Sequence, residues 1–427
     1  MLENMGGPVA PRDWQGALPF SYHVGGAGLI KVHMRLKMDY AERTIWDVIG
    51  KIPGSELPDE WVVAENHRDA WVFGAVDPSS GTVAMLEAVH GVGSLLAQGW
   101  KPRRTMYFCS WDGEEEGLIG STEWAEEHAK QLAHAVAYIN TDASVSGPHF
   151  EASAVPSLKQ FIREVTMEVA SPKGGSVFDE WRKDQGDSSA RRRNVFNDSS
   201  SQASTQVSGE VRVGDLGSGS DYTPFIQHLG VPSTDIGSTG PYGVYHSAFD
   251  NYAWFVMNAD PTFVYEQQMA RVFGLEALHM ADADVLPYDY ITYARQIQAY
   301  LFAAQARAKD AGMASVDFSD ALGAATRFTA AATVVYSKQV SATGSPTALN
   351  ASLRAVEGDL LTPEGLPGRS WFRHTIFAPG EYTGYAAVVI PGVNEAIDAR
   401  DPARAQAQMA NVTAALVRAT ATLESGM

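Results

Sequence analysis

Across residues 61–142 short β-rich runs alternate with helix-like stretches, the pattern of βαβ units, and this alternation commits the chain to a mainly parallel sheet. WVVAENH (61–67), RTMYFCSW (104–111) and VAYINT (136–141) read as buried strands, and 81–98 between the first two reads as a helix. Polar and titratable residues gather where these strands end. In open α/β sheets, ligands bind beyond the carboxyl ends of the strands, so the loops there are the first place to look for chemistry.

The rest of the chain is organised differently. Residues 171–215 are rich in Gly, Ser, Asn, Gln and Arg, with Arg191, Arg192 and Arg193 and the run Ser199, Ser200, Ser201, and read as a flexible surface loop with solvated charges. A helix is expected over 221–229 and a short strand over 231–236. After Leu286-Pro287 the sequence becomes Ala-rich: Tyr290, Ala294, Ile297 and Leu301 keep helical spacing, as do Met409, Val412, Leu416, Ala419 and Leu423. A second, helical-bundle domain is expected from about residue 287, in keeping with 427 residues and roughly 100–200 residues per domain.

Charge and composition exclude several functions. With 32 Lys and Arg against 50 Asp and Glu, the formal charge of -18 repels phosphate backbones, so nucleic acid is not an expected partner. No apolar run approaches the ~20 residues of a membrane span, and residues 1–13 lack the basic and apolar regions of a signal peptide; the compartment stays open. Cys109 is the only cysteine, which rules out an internal disulfide framework and Cys-rich zinc sites. Neither G-x-S-x-G nor H-E-x-x-H occurs, arguing against a serine hydrolase and a helix-borne single-zinc protease.

Five short segments bring acids and histidines to loop positions: His67-Arg68-Asp69, Asp77-Pro78, Asp112-Gly113-Glu114-Glu115-Glu116, Asn140-Thr141-Asp142 and Tyr245-His246-Ser247. Singly, each is ordinary; the glutamate run alone suits a charged helix entry. Together, two imidazoles and three or more carboxylates suit a pair of zinc ions about 3.5–4 Å apart, with one carboxylate bridging and another free as a base.

HRDAWVFGAVDP (67–78), SWDGEEEGLIGSTEWAEE (110–127), AYINTD (137–142), GSGSDY (217–222) and YHS (245–247), followed by LPYDY (286–290) and GLPGRSWFRHTIFAP (365–379), resemble the zinc exopeptidase family that includes glutamate carboxypeptidase II and the transferrin receptor. The resemblance implies an α/β fold, with a mixed, mainly parallel sheet flanked by helices, followed by an all-helical bundle dimerisation domain. It divides the chain into 1–30, a remnant of an apical domain, 31–286, the zinc peptidase domain, and 287–427, the helical domain of a homodimer. It implies two zinc ions per chain, one held by His67 and Asp142, the other by Glu115 and His246, with Asp77 bridging both. A zinc-bridged hydroxide is then the nucleophile, Glu114 the general base, and Asp69 the carboxylate that orients the His67 ring. The three glutamates permit a one-residue shift in which Glu115 and Glu116 take these roles; Gly117-Leu118 favours the first alignment.

Departures bear on substrate. Gly384 stands where glutamate-selective members have a lysine and Ser220 where they have an asparagine; Tyr245 matches, and Gly219 and Leu118 are expected to line the same pocket. Glutamate is therefore not expected as the preferred C-terminal residue. Glu123 and Glu126 match two ligands of a structural calcium site. The start resembles the end of an apical insertion, so an open sheet edge and weak hydrolysis are expected of this chain by itself, with an extracytoplasmic location open for a longer form. The competing reading is a non-catalytic, transferrin-receptor-like binding or scaffold dimer. Whether the peptide substrate is cut as by a carboxypeptidase, dipeptidase or aminopeptidase is left open.

Overall fold

A computed structural model describes residues 2–16, 18–25, 31, 33–186 and 210–427. It divides into two compact units, Met1–Thr44 and Ile45–Met427. The first has two short turns of 3-10 helix, Leu2–Asn4 and Arg12–Trp14, and a bridge between Val9 and His23.

The second unit is built on a six-stranded sheet of β1 (Val48–Ile52), β2 (Leu57–His67), β3 (Arg104–Trp111), β4 (Ala135–Asn140), β5 (His149–Ala154) and β6 (Ser233–Thr239), in the order β1-β3-β2-β4-β6-β5. The four central strands are parallel, while β1 and β5 run antiparallel at the two edges. Residues 60–67 of β2 are all buried. Such a run is expected of a parallel strand covered on both faces, since crossover helices have to lie on the sheet. Helix α1 (Ser79–Ala97) provides the crossover from β2 to β3, and α7 (Val264–Asp282) packs beside it. Trp111, Trp124, Tyr138 and Phe225 fill the opposite side, with the Tyr138 and Phe225 rings stacked 3.7 Å apart.

One glycine fixes how α1 enters the site. A Cβ on Gly81 would lie 2.2 Å from the carbonyl oxygens of Thr141 and Asp142, so only glycine lets the first turn of α1 press against the end of β4.

Beyond Leu286 the unit is mostly helical: α8 (Tyr290–Asp310), α9 (Ser319–Ser341), α10 (Thr347–Asp359), α11 (Pro391–Asp398) and α12 (Pro402–Ser425). Helix α12 packs on α9, α10 and α11, with Met409, Val412, Leu416, Ala419 and Leu423 buried along one face as their spacing predicts. A two-stranded ribbon, β7 (Phe377–Pro379) and β8 (Ala387–Val389), is inserted among these helices, and its turn carries Gly384.

Other expectations change. The loop expected over 171–215 contains a helix, α5 (Val177–Gly186), anchored by buried Val177 and Trp181 one turn apart; Arg191–Arg193 and Ser199–Ser201 lie outside the described residues. The helix expected over 221–229 is present over residues 222–229, with its last six residues, Pro224–Leu229, widened, and it ends where Gly230 adopts a left-handed conformation. The following strand starts at Ser233, after Pro232, which has no N–H for a ladder.

Candidate metal centre

Since β2, β3, β4 and β6 are parallel, their carboxyl ends open on one side, and all six expected ligand and base residues follow them. His67 is the last residue of β2, Asp77 precedes α1, Glu114 and Glu115 follow β3, Asp142 follows β4 and His246 lies in the loop after β6. The structure gathers their side chains into two groups of three, His67, Glu114 and Asp142 in one and Asp77, Glu115 and His246 in the other.

Asp77 lies between the groups. Its Oδ1 stands 3.3 Å from His67 Nε2 and its Oδ2 3.1 Å from His246 Nε2. Asp142 Oδ1 is 2.9 Å from the same His67 nitrogen, and Glu115 Oε2 is 3.2 Å from that of His246. Glu114 Oε2 is further back, 3.9 Å from His67 Nε2. Glu116, next in the run, is exposed and belongs to neither group.

Local backbone geometry explains these positions. Gly113 and Gly117 flank the glutamates at φ 70° and 121°, and the N–H groups of Gly117 and Leu118 both donate to Glu114 O, at 2.8 and 2.7 Å. Leu118, itself left-handed at φ 59°, precedes helix α2 (Ile119–Glu127). The acid run is thus a tight turn before a helix, so its successive carboxylates diverge. Asp69 serves this turn: its carboxylate accepts from the N–H of Glu114 at 3.1 Å and of Glu115 at 3.0 Å. Its closest contact to His67 Nδ1 is its own backbone carbonyl at 3.0 Å, with the carboxylate at 3.5 Å. Both Asp69 oxygens thus face this side of the ring and turn Nε2 toward the cluster. Across the site, Asn66 Nδ2 donates to the carbonyls of Thr141 and Asp142, at 2.8 and 3.0 Å, holding the β4 loop against β2.

The electrostatics are those of a cation site. Burial and then Asp142 push the Glu114 carboxyl up to about 10, and burial and then Asp77 push Glu115 to about 7. Burial opposes a charge on His67 and on His246, yet the surrounding carboxylates, Asp142 first for His67 and Asp77 first for His246, raise both. Asp77 is also opposed by burial, but the two imidazoles hold it down to about 2. Two imidazoles facing four carboxylates with no thiolate form a donor set that fits zinc, and cations placed among them relieve the repulsion between the acids.

Of the expected pocket residues, Tyr245 adjoins this cluster directly. Tyr245 stacks on the His246 ring, centroids 3.6 Å apart, and Trp71 lies 6.2 Å from it on another side. Ser220 is buried and accepts from Asn140 Nδ2 at 3.0 Å. Gly219, at φ 100°, lies so close to Tyr385 that a Cβ there would be 2.6 Å from its ring. Gly384 and Tyr385 line a cavity of about 420 Å³ with Ser218, Arg369, Phe372 and Glu381. Nothing lies within 4 Å of where a Cβ on Gly384 would stand. The Arg369 guanidinium in this wall is paired with Glu395 at 2.6 Å. Tyr385 was not apparent from spacing, being brought in by the ribbon turn; Asp250 was missed too, because it contacts only backbone amides and a tyrosine hydroxyl. Glu123 and Glu126 are exposed on α2, Glu126 accepts from the Trp371 indole at 2.8 Å, and neither belongs to a metal-ligating group among the described residues.

Comparison with known proteins agrees with this architecture. Residues 47–259 match Peptidase family M28 and residues 313–424 the transferrin receptor-like dimerisation domain. Probable glutamate carboxypeptidase LAMP1 of Arabidopsis thaliana is 37% identical over 86% of this chain and 51% of its own length. A probable glutamate carboxypeptidase of Arthroderma benhamiae is 37% identical over 96% of the chain and 55% of its own. Aminopeptidase NAALADL1 of Mus musculus is 34% identical over 99% and 59%. The chain thus spans little more than half the length of these relatives. No helix among the described residues is long and apolar enough to cross a membrane. With a peptidase sheet, a cluster of acids and imidazoles at its carboxyl ends and a helical dimerisation region following in one chain, this protein belongs to the M28 metallopeptidases of the glutamate carboxypeptidase and transferrin receptor type.

Proposed function

We propose that this chain carries the catalytic centre of a co-catalytic zinc exopeptidase, with His67 and Asp142 holding one zinc, Glu115 and His246 the other, and Asp77 both. The observation that carries the reading is the Asp77 carboxylate, whose two oxygens face different imidazoles at 3.3 and 3.1 Å. Bound there, two zinc ions supply Lewis acidity that makes water a nucleophile near neutral pH and polarises the scissile carbonyl. The chain's own residues do the rest. The Nδ1–H of His67 donates to Asp69 O, leaving its Nε2 lone pair for metal. Glu114, set back from the imidazoles, takes the proton of the attacking water and delivers it to the leaving amine.

Tyr245, Tyr385 and the Gly219–Ser220 turn wall the substrate side. With no side chain at Gly384 and the charge of Arg369 paired with Glu395, a terminal glutamate meets no unpaired cation among the described residues of this cavity wall, so peptides with neutral terminal residues are the expected substrates. The helical region, matched over 313–424, is proposed to form the homodimer, expected in light scattering at twice 46.0 kDa. A peptide-library digest read by end-resolved mass spectrometry, with zinc counted by elemental analysis, tests the reading. Two zincs and trimming from one terminus are expected; a folded, zinc-loaded chain that leaves every peptide intact refutes it in favour of a binding scaffold.

A further inference from the structure

Asp250 lies four residues after His246, is 3% exposed, and stands outside the metal-ligating groups. Its Oδ1 accepts the N–H of Val76 at 2.9 Å, and its Oδ2 accepts the N–H of Asp77 at 3.2 Å and the hydroxyl of Tyr242 at 2.7 Å. Its backbone carbonyl accepts a further bond from Ala75 N–H at 3.4 Å. One residue therefore ties the segment that ends in Asp77 to the loop that carries His246. That loop is itself closed by Ser247, whose carbonyl accepts from Asp250 N–H at 3.0 Å and whose hydroxyl donates to Val244 O at 2.7 Å. His246 sits in it at φ 53°, a left-handed conformation that needs such support.

We propose that Asp250 is a positioning residue which fixes the distance between Asp77 and His246, and so sets the affinity of the metal held by Asp77, Glu115 and His246. The inference rests on the zinc reading above. Three donors converge on two oxygens, a demand a carboxylate meets and an amide does not: asparagine offers one acceptor oxygen and turns an NH2 toward a backbone N–H. The donors are two main-chain amides and a phenol, so the group is held by hydrogen bonds; its effect reaches the metal of Glu115 and His246 through both the Asp77 backbone and the loop that carries His246, and the other metal through Asp77 alone. It does not touch substrate or the reacting atoms.

The test is the zinc affinity of the folded, full chain, measured by chelator competition well below the melting temperature for wild type, Asp250→Asn and Tyr242→Phe. Asp250→Asn is expected to weaken one of the two zincs by about 10–100-fold, the range for partners that orient ligands, and the other, which shares only Asp77, by several-fold less. Wild-type affinity at both sites, or equal weakening of both, overturns the proposal, since general loosening of the fold does not select one metal. If Asp250→Asn does not fold, Tyr242→Phe decides. It keeps both amide bonds but frees the carboxylate to turn, and about threefold or greater weakening at one zinc supports the proposal whereas unchanged affinity overturns it. A wild-type chain that fails to hold two zincs defeats the functional reading itself, and this inference with it.

Discussion

Loading the site with zinc should expel protons, and the structure sets how many. Without metal at pH 7, His67, raised well above its usual value by the carboxylates around it, is cationic, and His246 is shifted toward its cationic form; Glu115 at about 7 is half protonated, Glu114 at about 10 holds its proton, and Asp77, held to about 2, has none to give. Zinc requires neutral imidazoles and ionised carboxylates, so one proton leaves from His67, up to one from His246 and about half a proton from Glu115. A further one leaves from Glu114 to the extent that nearby cations restore its carboxylate. The release is about one and a half to three and a half protons for two zincs. By linkage, the product of the two association constants rises about 1.5–3.5 decades per pH unit around neutrality and falls as the solution is acidified. Sign and size follow together: the pKa values are raised in the free chain, so protons compete with metal below them and cease to compete above. Isothermal titration calorimetry of metal-free chain, repeated in buffers of different ionisation enthalpy, reads the proton number directly. His246→Ala should lower it, by up to about one. Release of fewer than about one proton, or pH-independent zinc binding, would show that the imidazoles do not face these carboxylates in the free chain and would refute the geometry of the site.

Glu114→Gln should keep both zincs and lower turnover by about 10²–10⁴, because the amide fills the same space without accepting a proton; a wild-type rate on a neutral dipeptide removes Glu114 as base. Gly384→Lys, pointing into open space at φ 63°, should raise kcat/KM for glutamate-terminated peptides relative to neutral ones by at least about tenfold, the worth of one charge-assisted bond; an unchanged ratio places the terminal side chain elsewhere. Glu60→Gln should lower stability to urea by about 3 kcal/mol. Its carboxylate joins fully buried Arg104 at 2.7 Å to Arg354 of α10 at 2.8 Å, and losing it leaves two guanidiniums facing a neutral amide; a loss under about 1 kcal/mol would mean that the carbonyls around Arg104 suffice.

What the sequence disclosed, and what it hid, depends on how each residue makes its contacts. Strand β3 is readable because a strand covered on both faces is mostly apolar, as MYFC at its centre and Trp111 at its end are. Strands β1 and β5 escaped because they lie at the edges: four of the five residues of VIGKI are exposed, and HFEASA has too few apolar positions to stand out from a loop. Helix α5 was obscured because its polar surroundings outweighed Val177 and Trp181, the two residues that bury it. The six residues proposed for the metal cluster could be named for a different reason: the family resemblance assigns them, and the parallel sheet brings them together at strand ends. The groups that position those residues leave no such trace. Asp69 supports Glu114 and Glu115, and Asp250 supports Asp77, through backbone N–H groups that every residue but proline possesses, so neither partnership restricts the residue type on its far side. A side chain that bonds to the main chain can be recognised only after the fold has brought that main chain to it. In this protein the proposed ligands could therefore be named before the structure, whereas the spacing between them, on which the affinity of such a site depends, could be read only from it.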